Sequence, residues 1–156
     1  MKILLVDDDA DCLASLDAMF EPTGHLCTSF TVPEEAVEVC RQQHYDLVIT
    51  DMKMPGMDGL EVLKKIRAFN PETKVIIITA YGDVNTAMAA VNNQAYAFFG
   101  KPLQVDDLMR TVEKIEKENL QLEKARSDHA NLIMEYSRLK LAYQDLLALV
   151  KQHDVK

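Results

Sequence analysis

Residues 2–7 read KILLVD, in which four consecutive apolar residues are followed by an aspartate. Two further stretches have the same form, DLVIT at 46–50 and KVIIIT at 74–79. Short apolar runs that end in a polar residue are typical of β-strands covered on both faces. Weaker strand candidates lie at 25–30 and 96–99, so the sequence predicts five strands.

The segments between these strands have helical character, and turn or cap residues such as Pro33 and Asp83 open them. Strand and helix therefore alternate along the chain, which favours a doubly wound α/β fold: a five-stranded parallel sheet with helices on both faces. A chain of 156 residues with 48% hydrophobic content can bury one such core. The predicted helices lie at about 10–20, 33–43, 58–69 and 83–93.

Polar residues follow the predicted strands at the end where such sheets bind ligands. Asp7 and Asp8 follow the first strand, Asp51 the third, Thr79 the fourth and Lys101 the fifth. Three carboxylates beside a lysine form the kind of oxygen site that Mg²⁺ prefers. A cation, a lysine and a hydroxyl together suit the stabilisation of a phosphoryl group under attack by an aspartate.

Four motifs in this order resemble the response-regulator receiver domain of two-component signalling. They are ILLVDDD at 3–9, DMKMPGMDG at 51–59, TA at 79–80 and KP at 101–102. The resemblance extends over about residues 1–118, which we predict to be a receiver domain. It implies a flavodoxin-like fold, and the stretch after Thr79 is similar to receivers of enhancer-binding transcription activators.

The resemblance implies a phosphoacceptor and a Mg²⁺ site. Asp51 is expected to accept the phosphoryl group, and Asp8 and Asp51 are expected to bind Mg²⁺ directly. Asp7 would hold a water of the metal, and the backbone carbonyl of Lys53 would be the remaining protein ligand. The phosphoryl donor would be a sensor histidine kinase or a phosphotransfer protein.

The resemblance also implies a switch. Lys101 would pair with the phosphoryl oxygens, and its bond to Pro102 is expected to be cis. Thr79 would move to hydrogen-bond the phosphate, and Phe98 would then turn inward. This movement would change the face formed by helix four, strand five and helix five, as a population shift.

Several residues near these motifs have structural interpretations. Asp9 is expected to cap the first helix. Asp58 and Gly59 would serve the turn and the start of the third helix. Lys53 and Tyr81 flank the site, where they could tune dephosphorylation or be plain surface.

Two positions depart from the family pattern. Gln94 must close the fourth helix without the left-handed freedom of glycine. Gly100 is expected to loosen the strand just before Lys101.

From about Gln104 to Lys156 the chain has no glycine or proline, which predicts one long helix. Its residues 119–156 are predicted to form a coiled-coil dimerisation or linker segment, because apolar residues recur there at heptad spacing. We expect a homodimer, parallel because both receivers would then share one end. The heptad positions are Leu122, Ala125, His129, Leu132, Tyr136, Leu139, Tyr143, Leu146 and Val150.

The net charge of −8 and an acidic cluster at 7–11 argue against nucleic-acid binding by this chain. No apolar run is long enough for a membrane span or a signal peptide, so we expect a cytoplasmic protein. Cys12, Cys27 and Cys40 have no metal-ligand spacing and are expected to be reduced, mostly buried thiols.

Three other functions are consistent with parts of the sequence. The chain could be a non-catalytic scaffold, although such receivers usually lose an acid, the threonine or the lysine. It could be a truncated transcription activator whose effector domain is missing. A Mg²⁺-dependent phosphatase would need an acid two residues after Asp51, where Lys53 stands, so we expect no enzymatic turnover of external substrates.

Overall fold

The computed structural model describes residues 1–80 and 84–153. The predicted helix start at Asp83 and the predicted flanking residue Tyr81 lie outside these residues. Within them the strands are β1 (Lys2–Val6), β2 (Leu26–Phe30), β3 (Leu47–Asp51), β4 (Lys74–Thr79) and β5 (Ala97–Gly100). The helices are α1 (Ala10–Phe20), α2 (Pro33–Gln42), α3 (Gly59–Phe69), α4 (Val84–Asn92) and α5 (Val105–His153), with a 3-10 turn at Glu21–Thr23.

The strands form one parallel sheet in the order β2-β1-β3-β4-β5. The chain first passes from β1 to β2 on one side and then returns to β3 on the other side of β1. The direction of winding therefore reverses between β1 and β3, and ligands bind at such a point in doubly wound sheets. The predicted flavodoxin-like fold is confirmed.

Successive strand residues face opposite sides of the sheet, and each side has its own apolar core. Leu4, Val48 and Ile77 belong to the core that also contains buried residues of α2, α3 and α4. Leu5 and Ile49 belong to the core that α1 and the beginning of α5 cover. Both faces of the central strands are thus buried, which explains their continuous apolar runs.

The caps of α1 and α3 agree with the sequence. The side chain of Asp9 accepts hydrogen bonds from the amides of Asp11 and Cys12, at 2.9 and 3.4 Å. Asp58 and Glu61 form a reciprocal capping box at the start of α3. These predicted structural roles of Asp9 and Asp58 are confirmed.

Gln94 ends α4 in the left-handed conformation, with φ of 62°. Its amide donates to the carbonyl of Val91, and the amide of Ala95 donates to the carbonyl of Ala90, both at 2.9 Å. This is the Schellman pattern, which glycine usually closes. The guanidinium of Arg67 donates to the carbonyl of Gln94 at 2.7 Å and holds this turn against α3.

The chain divides into two compact units, Met1–Glu116 and Lys117–Lys156. The second unit is helical as far as the structure describes it, and its large apolar side chains are exposed. Across residues 1–80 and 84–153, no helix has the length and apolar character that a bilayer-spanning segment needs. We retain the prediction of a receiver over 1–118 and a helical segment over 119–156.

Candidate functional site

Two buried carboxylates meet at the carboxyl ends of the neighbouring strands β1 and β3. Val6 lies opposite Thr50 in the sheet, so the next residues, Asp7 and Asp51, are adjacent. Asp7 is 4% exposed and Asp51 is 8% exposed. The sequence-predicted acids of β1 and β3 are therefore brought together at the switch point.

Lys101 lies between these two carboxylates. Its ammonium Nζ is 2.7 Å from Oδ1 of Asp51 and 3.3 Å from Oδ2 of Asp7. Burial alone would lower the pKa of Lys101, but the hydrogen bond to Asp51 and the two negative charges outweigh burial and raise that pKa. Lys101 is therefore a charged ammonium at neutral pH, and its bond to Pro102 is cis as predicted.

Asp7 is the less well compensated of the two acids. Burial raises the pKa of Asp7 above its ordinary value, against the opposing effects of the Asp9 amide and of Lys101. The Asp9 amide donates to Oδ1 of Asp7 at 2.9 Å. The two carboxylates stabilise the charged form of Lys101, but one ammonium neutralises only one negative charge. With both acids ionised, the pocket therefore retains a net negative charge.

Both oxygens of the Asp51 carboxylate have a partner. Oδ1 contacts Lys101, and Oδ2 accepts a hydrogen bond from the backbone amide of Lys53 at 2.8 Å. The amide of Met52 donates to the carbonyl of Ile78 at 2.8 Å, which ties the end of β3 to β4. These contacts fix the direction in which the carboxylate points.

Gly59 lets α3 approach this strand end closely. A Cβ on Gly59 would collide with the backbone carbonyl oxygen of Asp51 and would lie 3.1 Å from Cα of Met52. The predicted helix-start role of Gly59 is confirmed, but its steric role beside Asp51 was not expected from the sequence. The glycine directly after the helix cap Asp58 was the only sequence feature that indicated a close approach here. The contact itself depends on the conformation of the loop.

Thr79 and Phe98 lie on the strands that complete this edge. Thr79 is the last residue of β4, is 1% exposed, and accepts a hydrogen bond at its carbonyl from the Lys101 amide at 2.7 Å. Phe98 on β5 is half-buried and packs against the core beneath α2, α3 and α4. The backbone thus brings Thr79 next to Lys101, whereas the switching roles of Thr79 and Phe98 stay predictions.

Asp8 is exposed, unlike its neighbour Asp7. Within residues 1–80 and 84–153, no three acidic, cysteine or histidine side chains form a group that could hold a metal ion. Asp7 and Asp51 instead converge on Lys101. The ligand set Asp7, Asp8, Asp51 and the Lys53 carbonyl therefore stays a prediction.

Cys12 is a further neighbour of the site, and its contact with Lys101 was not predicted from the sequence. Its Sγ is 3.9 Å from Nζ of Lys101 and 3.4 Å from Oδ2 of Asp9. Burial, followed by the negative charge of Asp7, raises the pKa of the Cys12 thiol. Its position in the first turn after β1 was the available signal. All three cysteines are free, as predicted, but only Cys40 is fully buried.

The fold and the site together define a doubly wound α/β domain with an acidic pocket and a charged lysine at the switch point of its sheet. The model of the response regulator receiver domain matches residues 3–113. The chain belongs to this receiver family of two-component response regulators. This confirms the family that its sequence motifs indicated.

The chain is similar to receivers of several kinds. It is 40% identical over 114 residues to the transcriptional regulatory protein ZraR of Escherichia coli strain K12, covering 73% of this chain and 26% of that protein. It is 34% identical to sporulation initiation phosphotransferase F of Bacillus subtilis strain 168, covering 72% and 91%. The solved structure of the beryllofluoride-activated NtrC4 receiver domain dimer is 30% identical, with a TM-score of 0.71 and coverage of 75% and 97%. The chain spans about a quarter of the length of the transcriptional regulators that it matches.

Proposed function

We propose that this chain is a phosphorylation-controlled switch in which Asp51 accepts a phosphoryl group from a histidine kinase or a phosphotransfer protein. The observation that supports this most is the position of Asp51 at the switch point, where Lys101 and the Lys53 amide hold its two carboxylate oxygens. A similar relative carries the name phosphotransferase, and a similar receiver has been solved in a beryllofluoride-activated form.

In the proposed reaction, one oxygen of Asp51 attacks the phosphorus of the donor. The new bond joins that oxygen to phosphorus, and the bond from phosphorus to the donor nitrogen breaks, so the electron pair returns to the donor imidazole. The product is an acyl phosphate. Such transfers depend mainly on positioning and charge stabilisation. Lys101 would bind the phosphoryl oxygens, because its ammonium already contacts Asp51.

The donor chemistry of the pocket fits Mg²⁺. Asp7 and Asp51 are buried carboxylates with a single ammonium between them, and exposed Asp8 follows Asp7 directly. Buried carboxylates with uncompensated charge favour a divalent cation with oxygen ligands. Asp8, Asp51 and the Lys53 carbonyl would hold the ion, and Asp7 would hold one of its waters. When bound, Mg²⁺ would neutralise charge on the phosphoryl group.

Intact-mass measurement after incubation with Mg²⁺ and acetyl phosphate tests the acceptor. We expect one base-labile phosphoryl group, lost in Asp51→Asn. Asp58→Asn is a matched control, because asparagine is also a good helix cap and the labelling should persist. Unchanged labelling of Asp51→Asn would contradict the assignment. Asp8→Ala should weaken Mg²⁺ binding in a separate titration, because it removes a ligand without touching the nucleophile.

The proposed output is a population shift at the edge formed by β4 and β5. Thr79 would hydrogen-bond the phosphoryl group, and Phe98, half-buried beside the core, would turn further inward. The signal would leave through the face of α4, β5 and α5. We propose no turnover of an external substrate, only phosphorylation and dephosphorylation of the domain itself.

A separate proposal concerns the effector, the output domain that a receiver controls. Since the chain spans about a quarter of the transcriptional regulators that it matches, an output domain could follow it in the natural protein. A pure scaffold is less well supported, because Asp7, Asp51, Thr79 and Lys101 are all present and adjacent in the sheet.

We also propose that the C-terminal helix makes the chain a homodimer. Burying each large apolar side chain contributes about 1.5–3 kcal/mol before the cost of association. Several such side chains are exposed on this helix, including Leu132, Leu139 and Leu146. Sedimentation of the full chain beside a chain ending at Asn119 tests this: the full chain should be a dimer and the shorter chain a monomer. Equal states for both would contradict the proposal.

A further inference from the structure

Arg67 joins the ends of two helices at the edge of the sheet opposite the site. It lies in the last turn of α3, and its guanidinium donates to two backbone carbonyls. One is the carbonyl of Pro71, between α3 and β4, at 2.6 Å. The other is the carbonyl of Gln94, between α4 and β5, at 2.7 Å. Because β4 and β5 begin directly after these segments, both contacts lie at the amino ends of the strands.

The guanidinium of Arg67 has a fixed position. Arginine presents its donors in a planar fork, whereas lysine presents a point charge without that geometry. The Nε of Arg67 is buried and has no hydrogen-bond partner within residues 1–80 and 84–153. Burying an N–H group without a partner costs free energy. The two carbonyl contacts offset this cost, and they hold the side chain in place.

The structure describes the attachment of α4 mainly at its carboxyl end. The helix runs from the edge that contains the site, where β4 ends at Thr79, to the opposite edge, where Gln94 closes it. The amides of Gln94 and Ala95 donate to carbonyls of α4 in this closing turn. Among the side chains of residues 87–92, only that of Ala90 is fully buried, and it lies near the same end.

We propose that Arg67 clamps the carboxyl end of α4, so that phosphorylation moves the amino end of this helix about a pivot at Gln94. The inference rests on the proposed switch at Asp51 and names the residue that confines the movement. The helix has nine residues and is therefore about 13 Å long. A change at Thr79 acts at the end that Arg67 does not hold. Arg67 is a positioning residue, because it acts from the edge opposite Asp51.

Hydrogen–deuterium exchange of the full chain, followed by mass spectrometry, tests the clamp without phosphorylation. The amide of Ala95 donates to the carbonyl of Ala90, so its exchange measures the opening of the turn. Arg67→Met removes two hydrogen bonds from a charged donor and should accelerate exchange at Gln94 and Ala95 by roughly tenfold or more. Lys64→Met is the matched control, because Lys64 is exposed and lies three residues earlier on α3. It should leave this exchange unchanged.

Arg67→Lys separates the geometry of the side chain from its charge. It keeps the positive charge but loses the fork that reaches two carbonyls. We expect it to accelerate exchange at Gln94 and Ala95, although less than Arg67→Met does. Exchange at the wild-type rate in either variant overturns the clamp. An acceleration that β3 shares equally also overturns it, because Arg67 would then stabilise the whole domain rather than this turn.

The same measurement with Mg²⁺ and acetyl phosphate tests the pivot. In the wild type, phosphorylation should change exchange in the amino half of α4 and leave it unchanged at Gln94 and Ala95. In Arg67→Met the change should extend to these two amides. Equal changes at both ends of α4 in the wild type overturn the pivot. If Asp51 is not labelled, the proposed function fails and the pivot with it, whereas the unphosphorylated variants still decide whether the clamp exists.

Discussion

Replacing Gly59 with alanine should destabilise the receiver, because there is no room for a methyl group at the start of α3. The new Cβ would collide with the carbonyl oxygen of Asp51 and would lie 3.1 Å from Cα of Met52. Both neighbours are backbone atoms at the end of β3, which the Met52 amide ties to β4. They cannot turn aside as a flexible side chain could, so α3 or the strand end must shift.

The expected magnitude follows from two opposing effects. Inserting a methyl group into a close-packed region costs about 1–3 kcal/mol. Alanine also has the better helix propensity, which returns roughly 0.5–1 kcal/mol. The difference between these ranges is about 0–2.5 kcal/mol. Because the new Cβ collides with backbone atoms, we expect the upper half of this range, a loss of about 1–2 kcal/mol in the free energy of unfolding and a fall of several degrees in the Tm.

Urea denaturation measures this loss as a lower midpoint at an unchanged slope. Gly100→Ala is the matched control, because its Cβ would have no atom within 4 Å. It should leave the midpoint nearly unchanged. If Gly59→Ala unfolds at the same midpoint as Gly100→Ala, the close approach of α3 to Asp51 is wrong. Because Asp51 would also be displaced, Gly59→Ala should accept phosphoryl groups more slowly.

Three further predictions follow from single side chains. Gln94→Gly should raise the free energy of unfolding, measured by urea denaturation, by about 1 kcal/mol, because glycine adopts the left-handed φ of 62° without strain. Gln94→Ala keeps the strain and should give no gain. Burial raises the pKa of Cys27 and Cys40 to about 11, so both thiols should be alkylated slowly in the folded chain at pH 8. Mass spectrometry should show that alkylation at both residues accelerates as the pH rises toward 11. Because the pKa of Asp7 is raised in the folded chain, its negative charge destabilises the metal-free fold above that pKa. In EDTA, Asp7→Asn should therefore be more stable than wild type at neutral pH. This difference in stability should shrink as the pH falls toward the ordinary pKa of 3.8. A constant difference across that range would contradict the assignment of the effect to Asp7 ionisation.

The strands were predictable to the extent that both of their faces are buried. β1, β3 and β4 lie inside the sheet, and their residues form nearly continuous apolar runs. β2 and β5 are the edge strands and are only partly buried, with Leu26 67% exposed. Their weaker sequence signal has this physical cause, because an edge strand needs fewer apolar residues.

The convergence of Asp7, Asp51, Thr79 and Lys101 was predictable because the carboxyl ends of parallel strands share one edge. The contacts among these residues were not. Whether Lys101 reaches one carboxylate or both depends on side-chain rotamers and on the register of β5, neither of which has a sequence signal. The same holds for Cys12, whose thiol approaches Lys101 only because α1 begins directly beside β1.

The last helix shows most clearly what a repeating apolar pattern can and cannot establish. Leu108 and Ile115 continue the heptad register of residues 122–150, yet both are fully buried against the receiver's own sheet. Leu122, seven residues after Ile115 and in the same register, is 47% exposed. Periodicity identifies the apolar face of a helix but not the surface that covers it. One register is therefore buried at Leu108 and Ile115 and exposed at Leu122, so the heptad pattern by itself does not identify what covers the exposed part.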